Sequence, residues 1–237
     1  MPARKLGLPP VVPDDLARGL ASIRAAANVP DGFPPEVEAA AERAAERPRL
    51  PDLDRTDLEL ITIDPAGSRD LDQALHITRS PSGGFVVSYA IADVAAFVRP
   101  GDPIDVEAHR RGTTLYAPDR RTPLHPPVLS EGAASLLPDQ VRPALLWTIT
   151  LDHRGQTVAA DVARALVRSR AQLSYDEAQG EMDGSSPRET LGLLKLVGQW
   201  RQFRERDRGG VSLQIPQQEI QQQGDSWTLA FRAPEPV

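Results

Sequence analysis

The sequence predicts an α+β fold in which helices pack on a curved, mostly antiparallel sheet. Between residues 58 and 169, short apolar segments of strand length alternate with clusters of turn residues. Helical patterns precede these segments, lie between them and follow them. Helices together with hairpin-forming strands in one chain are typical of a layered α+β domain.

Residues 1–57 are predicted to form a helical N-terminal segment. A first helix begins at the two acidic residues that follow Pro13, because carboxylates are favoured at the positive end of a helix dipole. A second helix begins at residues 34–36, where proline is tolerated in the first turn, and Pro48 ends it. We interpret this segment as a packing arm or lid rather than as a binding site.

Residues 58–237 are predicted to form the main domain. Turn residues at 80–84 and 152–155 each separate two apolar segments and indicate two hairpins. Strands are expected at 58–63, 74–78, 85–92, 144–151, 157–169, 211–215 and 227–231. Helices are expected at 105–111, 130–137 and 187–208.

The composition narrows the class of protein. Hydrophobic residues make up 40% of the chain and charged residues 25%, as in ordinary globular proteins. There is no cysteine, which excludes disulfides and thiolate metal sites, and no apolar run long enough to span a membrane. Since no leader sequence is recognisable either, we expect a cytoplasmic protein. A net charge of −6 argues against a protein that coats nucleic acid through bulk electrostatics, but it is compatible with a nuclease whose carboxylates bind metal.

The most informative segment is an acidic loop between two apolar strands. Asp64, Asp70 and Asp72 lie within nine residues, together with proline and glycine. Asp70 and Asp72 are two residues apart and point the same way if that stretch is extended. Converging carboxylates repel one another unless a hard cation or a guanidinium neutralises them. Oxygen ligands of this kind suit Mg²⁺ or Mn²⁺.

The spacing alone leaves other readings of this loop open. Asp, Pro, Gly and Ser are common in turns, so the loop can equally be a solvated acidic turn. Calcium is a third option, but the spacing does not fit the helix–loop–helix calcium pattern, which needs oxygen ligands at positions one, three and five and a glycine at six.

Six segments, in order from about residue 61 to residue 179, resemble the ribonuclease II/R (RNB) family. Residues 63–75 are similar to the family signature, in which an Asp precedes a variable loop and an Asp-x-Asp-Asp-Ala-Leu run. Residues 111–120 begin Arg-Gly-Thr-Thr-Leu-Tyr-Ala-Pro and resemble the family's Arg-Gly-x-x-x-Tyr-x-Pro segment. The other similar segments are 89–94, 123–130 with 134–137, 142–145 and 173–178.

This resemblance implies an activity. Enzymes of the family are processive 3′-to-5′ hydrolytic exoribonucleases that act on single-stranded RNA and release nucleoside 5′-monophosphates. The implied cofactor is Mg²⁺, with Mn²⁺ as an alternative. The implied partner is single-stranded RNA, and no protein partner is identified.

The resemblance also assigns roles to residues. The positions that match metal ligands of the family are Asp64, Asp70, Asp72 and Gln73. Asp70 and Asp72 match catalytic positions, and Asp72 matches the carboxylate most critical for the chemistry.

The implied RNA contacts are two aromatic residues and one arginine. Tyr116 and Tyr175 match aromatic positions that pack near the 3′-terminal nucleotides, where stacking suits an RNase without sequence preference. Arg111 lies in a family-like segment and is predicted to contact RNA phosphate.

Three departures from the family pattern complicate this assignment. Gln73 stands where the family has a fourth carboxylate, so we expect weaker metal binding, a shift in which metal site is retained, or lost activity. A helical segment precedes the domain where the family usually has small RNA-binding β-barrels. The domain is also expected to be truncated on its C-terminal side at Val237, before the family's arginine-rich motif.

These departures leave two alternatives to an active nuclease. One is a non-catalytic RNA-binding or regulatory module that keeps the fold. The other is an interaction domain whose acidic loop binds only a structural cation.

Overall fold

A computed structural model describes residues 6–7, 13–81, 83–211, 217–223 and 226–232. Its helices are α1 (Pro13–Ala26), α2 (Pro35–Glu46), α3 (Pro103–Arg111), α4 (Tyr175–Asp183) and α5 (Glu189–Asp207). Its strands are β1 (Leu6–Gly7), β2 (Leu60–Asp64), β3 (Gln73–Arg79), β4 (Phe85–Ala92), β5 (Leu115–Tyr116), β6 (Arg121–Thr122), β7 (Val141–Leu151), β8 (Thr157–Ser174), β9 (Gln217–Gln223) and β10 (Ser226–Arg232). Among the helices described, none combines the length and the apolar character needed to cross a membrane.

Five strands close into a barrel in the order β2-β3-β4-β7-β8. Neighbouring strands pair antiparallel, as the two predicted hairpins require, except that β2 and β8 pair parallel and close the barrel. The predicted α+β fold with a curved, mostly antiparallel sheet is therefore confirmed. Closure removes the sheet edges that would otherwise be open to other chains.

All five barrel strands contribute side chains to one central core. Its buried residues are Leu60, Leu71, Ala74, Ala90, Leu136, Ala144, Leu146, Ala165 and Val167. Four of these are alanines because the interior of a barrel with few strands has room only for small side chains beside each large one. Leu71 belongs to the acidic loop and is 0% exposed, so the core itself anchors that loop to the barrel.

Helices cover two parts of the barrel. Helix α5 packs on β3, and Leu193 and Val197 contact Ile77 and Phe85. Helix α2 packs on α3 through a second core that contains Val37, Ala41, Phe97, Ile104 and Leu129. The α2 part of the N-terminal segment therefore acts as a packing element.

Two helical regions differ from the sequence-based expectation. The helix expected at 130–137 is a single π-type turn, Leu129–Ala133. It stops there because Leu136 donates its backbone N–H to the carbonyl of Leu71, 2.8 Å away, instead of continuing the helix. Helix α4 was not predicted, although Ser174 and Glu177 form a capping box that marks its start.

The C-terminal residues form a separate small sheet. Strand β10 confirms the strand expected at 227–231 and pairs with β9, which was not predicted. Strand β1 pairs with the other side of β10. The strand expected at 211–215 lies, apart from Val211, outside the described residues.

Candidate active site

The acidic loop lies at one end of the barrel, between the end of β2 and the start of β3. Asp64 is the last residue of β2 and pairs with Ser174, the last residue of β8. Gln73 is the first residue of β3. Because β2 and β3 are antiparallel neighbours, the end of one strand and the start of the next lie at the same end of the barrel. The topology therefore gathers Asp64, Asp70, Asp72 and Gln73 there.

A buried serine holds the middle of the loop. The Leu71 backbone N–H donates to the Ser135 hydroxyl at 3.0 Å. The Ser135 hydroxyl in turn donates to the Arg69 carbonyl at 2.6 Å. Ser135 is 2% exposed. The two residues that flank Asp70 are thus fixed by one side chain. The sequence analysis assigned no role to Ser135. The only sequence feature that pointed to this residue was its position in the family-like segment 134–137.

Two further hydrogen bonds fix the ends of the loop. The Gln172 side-chain amide donates to the Ser68 carbonyl at 2.8 Å. The Ala92 backbone N–H donates to the Asp72 carbonyl at 2.8 Å. The backbone that carries the carboxylates is therefore held by three separate strands or turns, which preorganises it.

The electrostatics show that Asp64 lies within the negative field of the other two carboxylates. Burial raises the pKa of Asp64, and the negative charges of Asp72 and Asp70 raise it further. The neighbouring Thr62 hydroxyl opposes this rise, but neither it nor Oδ2 of Asp64, which is buried, completes a hydrogen bond among the described residues. Burial also raises the pKa of Tyr89, as do the negative charges of Asp72 and Asp64. A buried acceptor in a negative field is an environment that favours a cation.

Asp70 and Gln73 already have partners of their own. The Arg121 guanidinium forms an ion pair with Asp70 and a second one with Glu131. The Tyr89 hydroxyl donates to the side-chain oxygen of Gln73. Within the described residues, no three acidic or histidine side chains lie close enough together to hold one metal ion. The donor set fits a hard cation at Asp64, whereas Asp70 is paired with a guanidinium.

A cavity of about 270 Å³ opens beside the loop. Asp70, Asp72, Tyr116 and His125 line it together with mainly apolar residues. Burial lowers the pKa of His125 and so favours its neutral imidazole form. Tyr116 is 75% exposed. A carboxylate and an exposed aromatic ring therefore border the same space, as the assignment of Asp72 and Tyr116 to one site requires.

Tyr175 lies at the same end of the barrel as Asp64. It is the first residue of α4 and directly follows Ser174, the register partner of Asp64. Its side chain is 36% exposed. The structure thus brings Tyr175 to the predicted metal end along a different strand from the one that carries Asp64.

The surroundings of Arg111 do not fit the predicted contact with RNA phosphate. Its side chain is 2% exposed, and its guanidinium stacks on the Phe33 ring with 3.7 Å to the centroid. It donates to Glu107 at 2.8 Å and to the Pro123 carbonyl at 3.1 Å, and also to the Gly32 carbonyl. Protein groups therefore occupy the donors of Arg111, which ties α3 to the N-terminal segment.

The comparison with protein families agrees with this geometry. A family model described as the RNB domain matches residues 53–230. This chain belongs to the RNB domain family. The predicted resemblance is therefore confirmed, and the match covers the barrel, the acidic loop and the lining of the cavity.

The relatives of this chain include proteins named as ribonucleases and one named as an inactive exonuclease. Ribonuclease R of Escherichia coli is 32% identical over 197 residues, which are 78% of this chain and 24% of that protein. A protein of Arabidopsis thaliana named Inactive exonuclease DIS3L2 is 39% identical over 150 residues, 62% of this chain and 14% of that protein. This chain thus spans at most about a quarter of the length of these two relatives.

A solved structure has the same fold. RNase R of Mycoplasma genitalium in complex with ribose-methylated single-stranded RNA superposes with a TM-score of 0.82 at 26% identity. The superposition covers 92% of this chain and 36% of the other. Nearly the whole chain therefore corresponds to part of an RNase R that binds RNA.

Proposed function

We propose that this chain carries the metal-binding part of an exoribonuclease site that hydrolyses single-stranded RNA from its 3′ end. The proposed products are nucleoside 5′-monophosphates and the proposed cofactor is Mg²⁺. The observation that carries the proposal is Asp64, a carboxylate with a buried oxygen that has no hydrogen-bond partner among the described residues. Two further carboxylates raise its pKa, on a loop that the RNB family shares.

The donor set supports Mg²⁺ or Mn²⁺ rather than a softer metal. Asp64, Asp70 and Asp72 offer only oxygen, and Gln73 offers an amide oxygen without charge. When bound, such a cation activates water for attack on a phosphodiester and stabilises the charge that develops on the phosphate. Asp64, Asp72 and Gln73 would hold it. Asp70 would join them once it leaves its ion pair with Arg121.

The chain's own residues supply positioning. Ser135 and the backbone hydrogen bonds to the loop keep Asp70 and Asp72 in place without substrate. The exposed Tyr116 offers a surface on which a base can stack, and Tyr175 offers a second one near Asp64. Stacking is independent of base identity, which suits an exonuclease that must accept every nucleotide.

A non-catalytic RNA-binding module is the second candidate function. Gln73 favours it, because an amide replaces a carboxylate of the family and its oxygen already accepts a hydrogen bond from Tyr89. The similarity to a relative named as an inactive exonuclease favours it as well.

Shortening of 5′-labelled single-stranded RNA, together with release of mononucleotides from the same RNA labelled throughout, tests the proposal. The assay is run on this chain and on the full product of its gene, with Mg²⁺ and with EDTA. Mg²⁺-dependent shortening from the 3′ end with mononucleotide release supports the nuclease. RNA binding without turnover in the full product supports the module instead.

A further inference from the structure

Arg121 occupies an unusual place for a cation, inside the predicted metal site. It is the first residue of β6 and pairs with Tyr116 across the β5–β6 hairpin. Its guanidinium bridges two carboxylates, Asp70 and Glu131. The side chains of Arg121, Asp70 and Glu131 are 28%, 33% and 27% exposed, so all three are partly shielded from water.

The preceding arginine in the chain provides a contrast. Arg120 pairs with Asp31 of the N-terminal segment at 2.6 Å, away from the acidic loop. Arg120 and Arg121 therefore carry the same charge one residue apart but neutralise different carboxylates. Any effect specific to Asp70 should depend on Arg121 alone.

The pairing of Arg121 neutralises the acidic loop on one side only. Asp70 is paired with the guanidinium, whereas Asp64 keeps a buried oxygen without a hydrogen-bond partner among the described residues. A guanidinium and a divalent cation both need the negative charge of Asp70, and a carboxylate that binds one of them strongly binds the other less well. The separate contact of the guanidinium Nη2 with Glu131 keeps Arg121 beside the loop whether or not Asp70 is available.

We propose that Arg121 is an internal counter-cation that competes with the divalent metal for Asp70, while Glu131 anchors it. This inference rests on the metal binding proposed above. When metal binds, Asp70 exchanges the guanidinium for the ion. Arg121 then remains held by Glu131 next to Tyr116, at the edge of the cavity that Asp72 and Tyr116 line.

Metal affinity without RNA provides the first test. Mn²⁺ binding is measured by electron paramagnetic resonance of the free ion for the unaltered protein, Arg121→Gln and the matched control Arg120→Gln. Arg121→Gln should bind Mn²⁺ roughly threefold to tenfold more tightly, because the competing ion pair is only partly buried. Arg120→Gln should match the unaltered protein.

A conservative variant separates direct competition from the general effect of a nearby charge. Arg121→Lys keeps the charge but cannot contact two carboxylates through a planar fork. Its Mn²⁺ affinity should lie between those of the unaltered protein and Arg121→Gln. Affinity equal to that of Arg121→Gln is incompatible with a role for the positive charge at this position.

A spectroscopic signal follows Arg121 itself. The Nε–H resonance of Arg121, assigned by its absence in Arg121→Gln, should shift on titration with diamagnetic Mg²⁺, while that of Arg120 stays in place. An Arg121 signal that does not move at saturating Mg²⁺ overturns the exchange.

The outcomes distinguish the two proposals. Equal or weaker Mn²⁺ binding by Arg121→Gln, with binding still abolished by Asp64→Asn, overturns the role of Arg121 and leaves the metal site intact. No Mn²⁺ binding that depends on Asp64, in any variant, overturns both this inference and the metal-dependent function.

Discussion

Two groups of charged side chains in this protein differ in how their carboxylates are neutralised. In the paired cluster (Glu107, Arg110 and Arg111), Glu107 is 5% exposed and accepts hydrogen bonds of 2.6–2.8 Å from both arginines. The hydrogen bond from Arg110, and also that from Arg111, lowers the pKa of Glu107 to about 2. This carboxylate is fully neutralised by the fold.

The acidic loop shows the opposite arrangement. Burial raises the pKa of Asp64, as do the charges of Asp72 and Asp70. Its buried oxygen has no hydrogen-bond partner among the described residues, and of the three carboxylates of the loop Arg121 pairs with Asp70 alone. A buried carboxylate whose counter-charges come from the fold serves stability, whereas one left without them is available to a ligand. Acidic residues alone therefore do not indicate a ligand site. A partly buried carboxylate that the protein itself does not neutralise does indicate one.

The largest expected effect is on the rate of RNA cleavage and comes from Asp72 in the acidic loop. Asp72→Asn should reduce the rate of RNA cleavage roughly a thousandfold or more while leaving RNA affinity nearly unchanged, because it removes an interaction made in the transition state. The turnover number and the dissociation constant for RNA are measured separately. Asp161→Asn, an exposed carboxylate on β8, is the control and should change neither.

An equal loss of binding and cleavage in Asp72→Asn contradicts this assignment. It would show that Asp72 mainly holds RNA or the fold rather than the reacting groups.

The next largest effect is on stability and comes from removing the charge of Glu107 in the paired cluster. Glu107→Gln should lower the free energy of unfolding by about 3 kcal/mol, because Arg111 would stay buried without its counter-charge. Urea denaturation measures the change. Asp57→Asn is the control: this residue is 70% exposed in its ion pair with Arg55 and should cost less than about 1 kcal/mol. A loss below that value in Glu107→Gln means that the cluster is solvated in solution.

Ser135 is expected to have an intermediate effect on both stability and metal binding. Ser135→Ala leaves the Leu71 N–H and the Arg69 carbonyl buried without this partner, which should cost about 2 kcal/mol. Because the loop is then less well held, Mn²⁺ should also bind more weakly. Ser130→Ala is the control, since its hydroxyl makes only long contacts of 3.3 and 3.4 Å to carbonyls. Unchanged Mn²⁺ affinity in Ser135→Ala would show that the hydroxyl stabilises the fold only.

The smallest expected effect is a difference in how the stability of the two regions depends on pH. Glu107 has a folded-state pKa of about 2 against an ordinary value of 4.5, so its stabilisation is present above pH 4.5 and is lost as pH falls towards 2. The pKa of Asp64 is raised above its ordinary value of 3.8, so Asp64 destabilises the metal-free protein increasingly as pH rises above that value. Asp64→Asn should therefore be as stable as the unaltered protein or more stable, by up to about 1 kcal/mol at neutral pH.

The difference in unfolding free energy between each variant and the unaltered protein, measured from pH 2 to pH 7, checks these signs. The Glu107→Gln difference should grow with rising pH as a loss, and the Asp64→Asn difference should grow as a gain. Parallel curves would contradict the contrast between the two regions.

The parts of the fold that follow local rules could be predicted. The hairpin at 152–155 was expected because turn residues separate two apolar segments there, and the structure adds that the Asp152 side chain accepts from the backbone N–H groups of Arg154 and Gln156 at 2.8 and 2.9 Å. Strand β4 and helix α2 agree with the patterns of their own residues to within about one residue. Helix α4 was missed although its capping box could be read from the sequence.

The amino-acid sequence alone was sufficient for the α+β class, the RNB family and the acidic loop with its three carboxylates, because these depend on residues near one another in the chain. Tertiary structure decided the parallel closure of β2 on β8, the role of Ser135, the burial of Arg111 and the partner of Arg121. The hydrogen bond from Leu71 to Ser135 joins residues 64 positions apart, and no local pattern specifies such a contact. Which carboxylate meets a guanidinium, and which is left for a metal, depends on packing between distant segments, since burial and hydrogen bonding, not residue type, determine the energy of a charge.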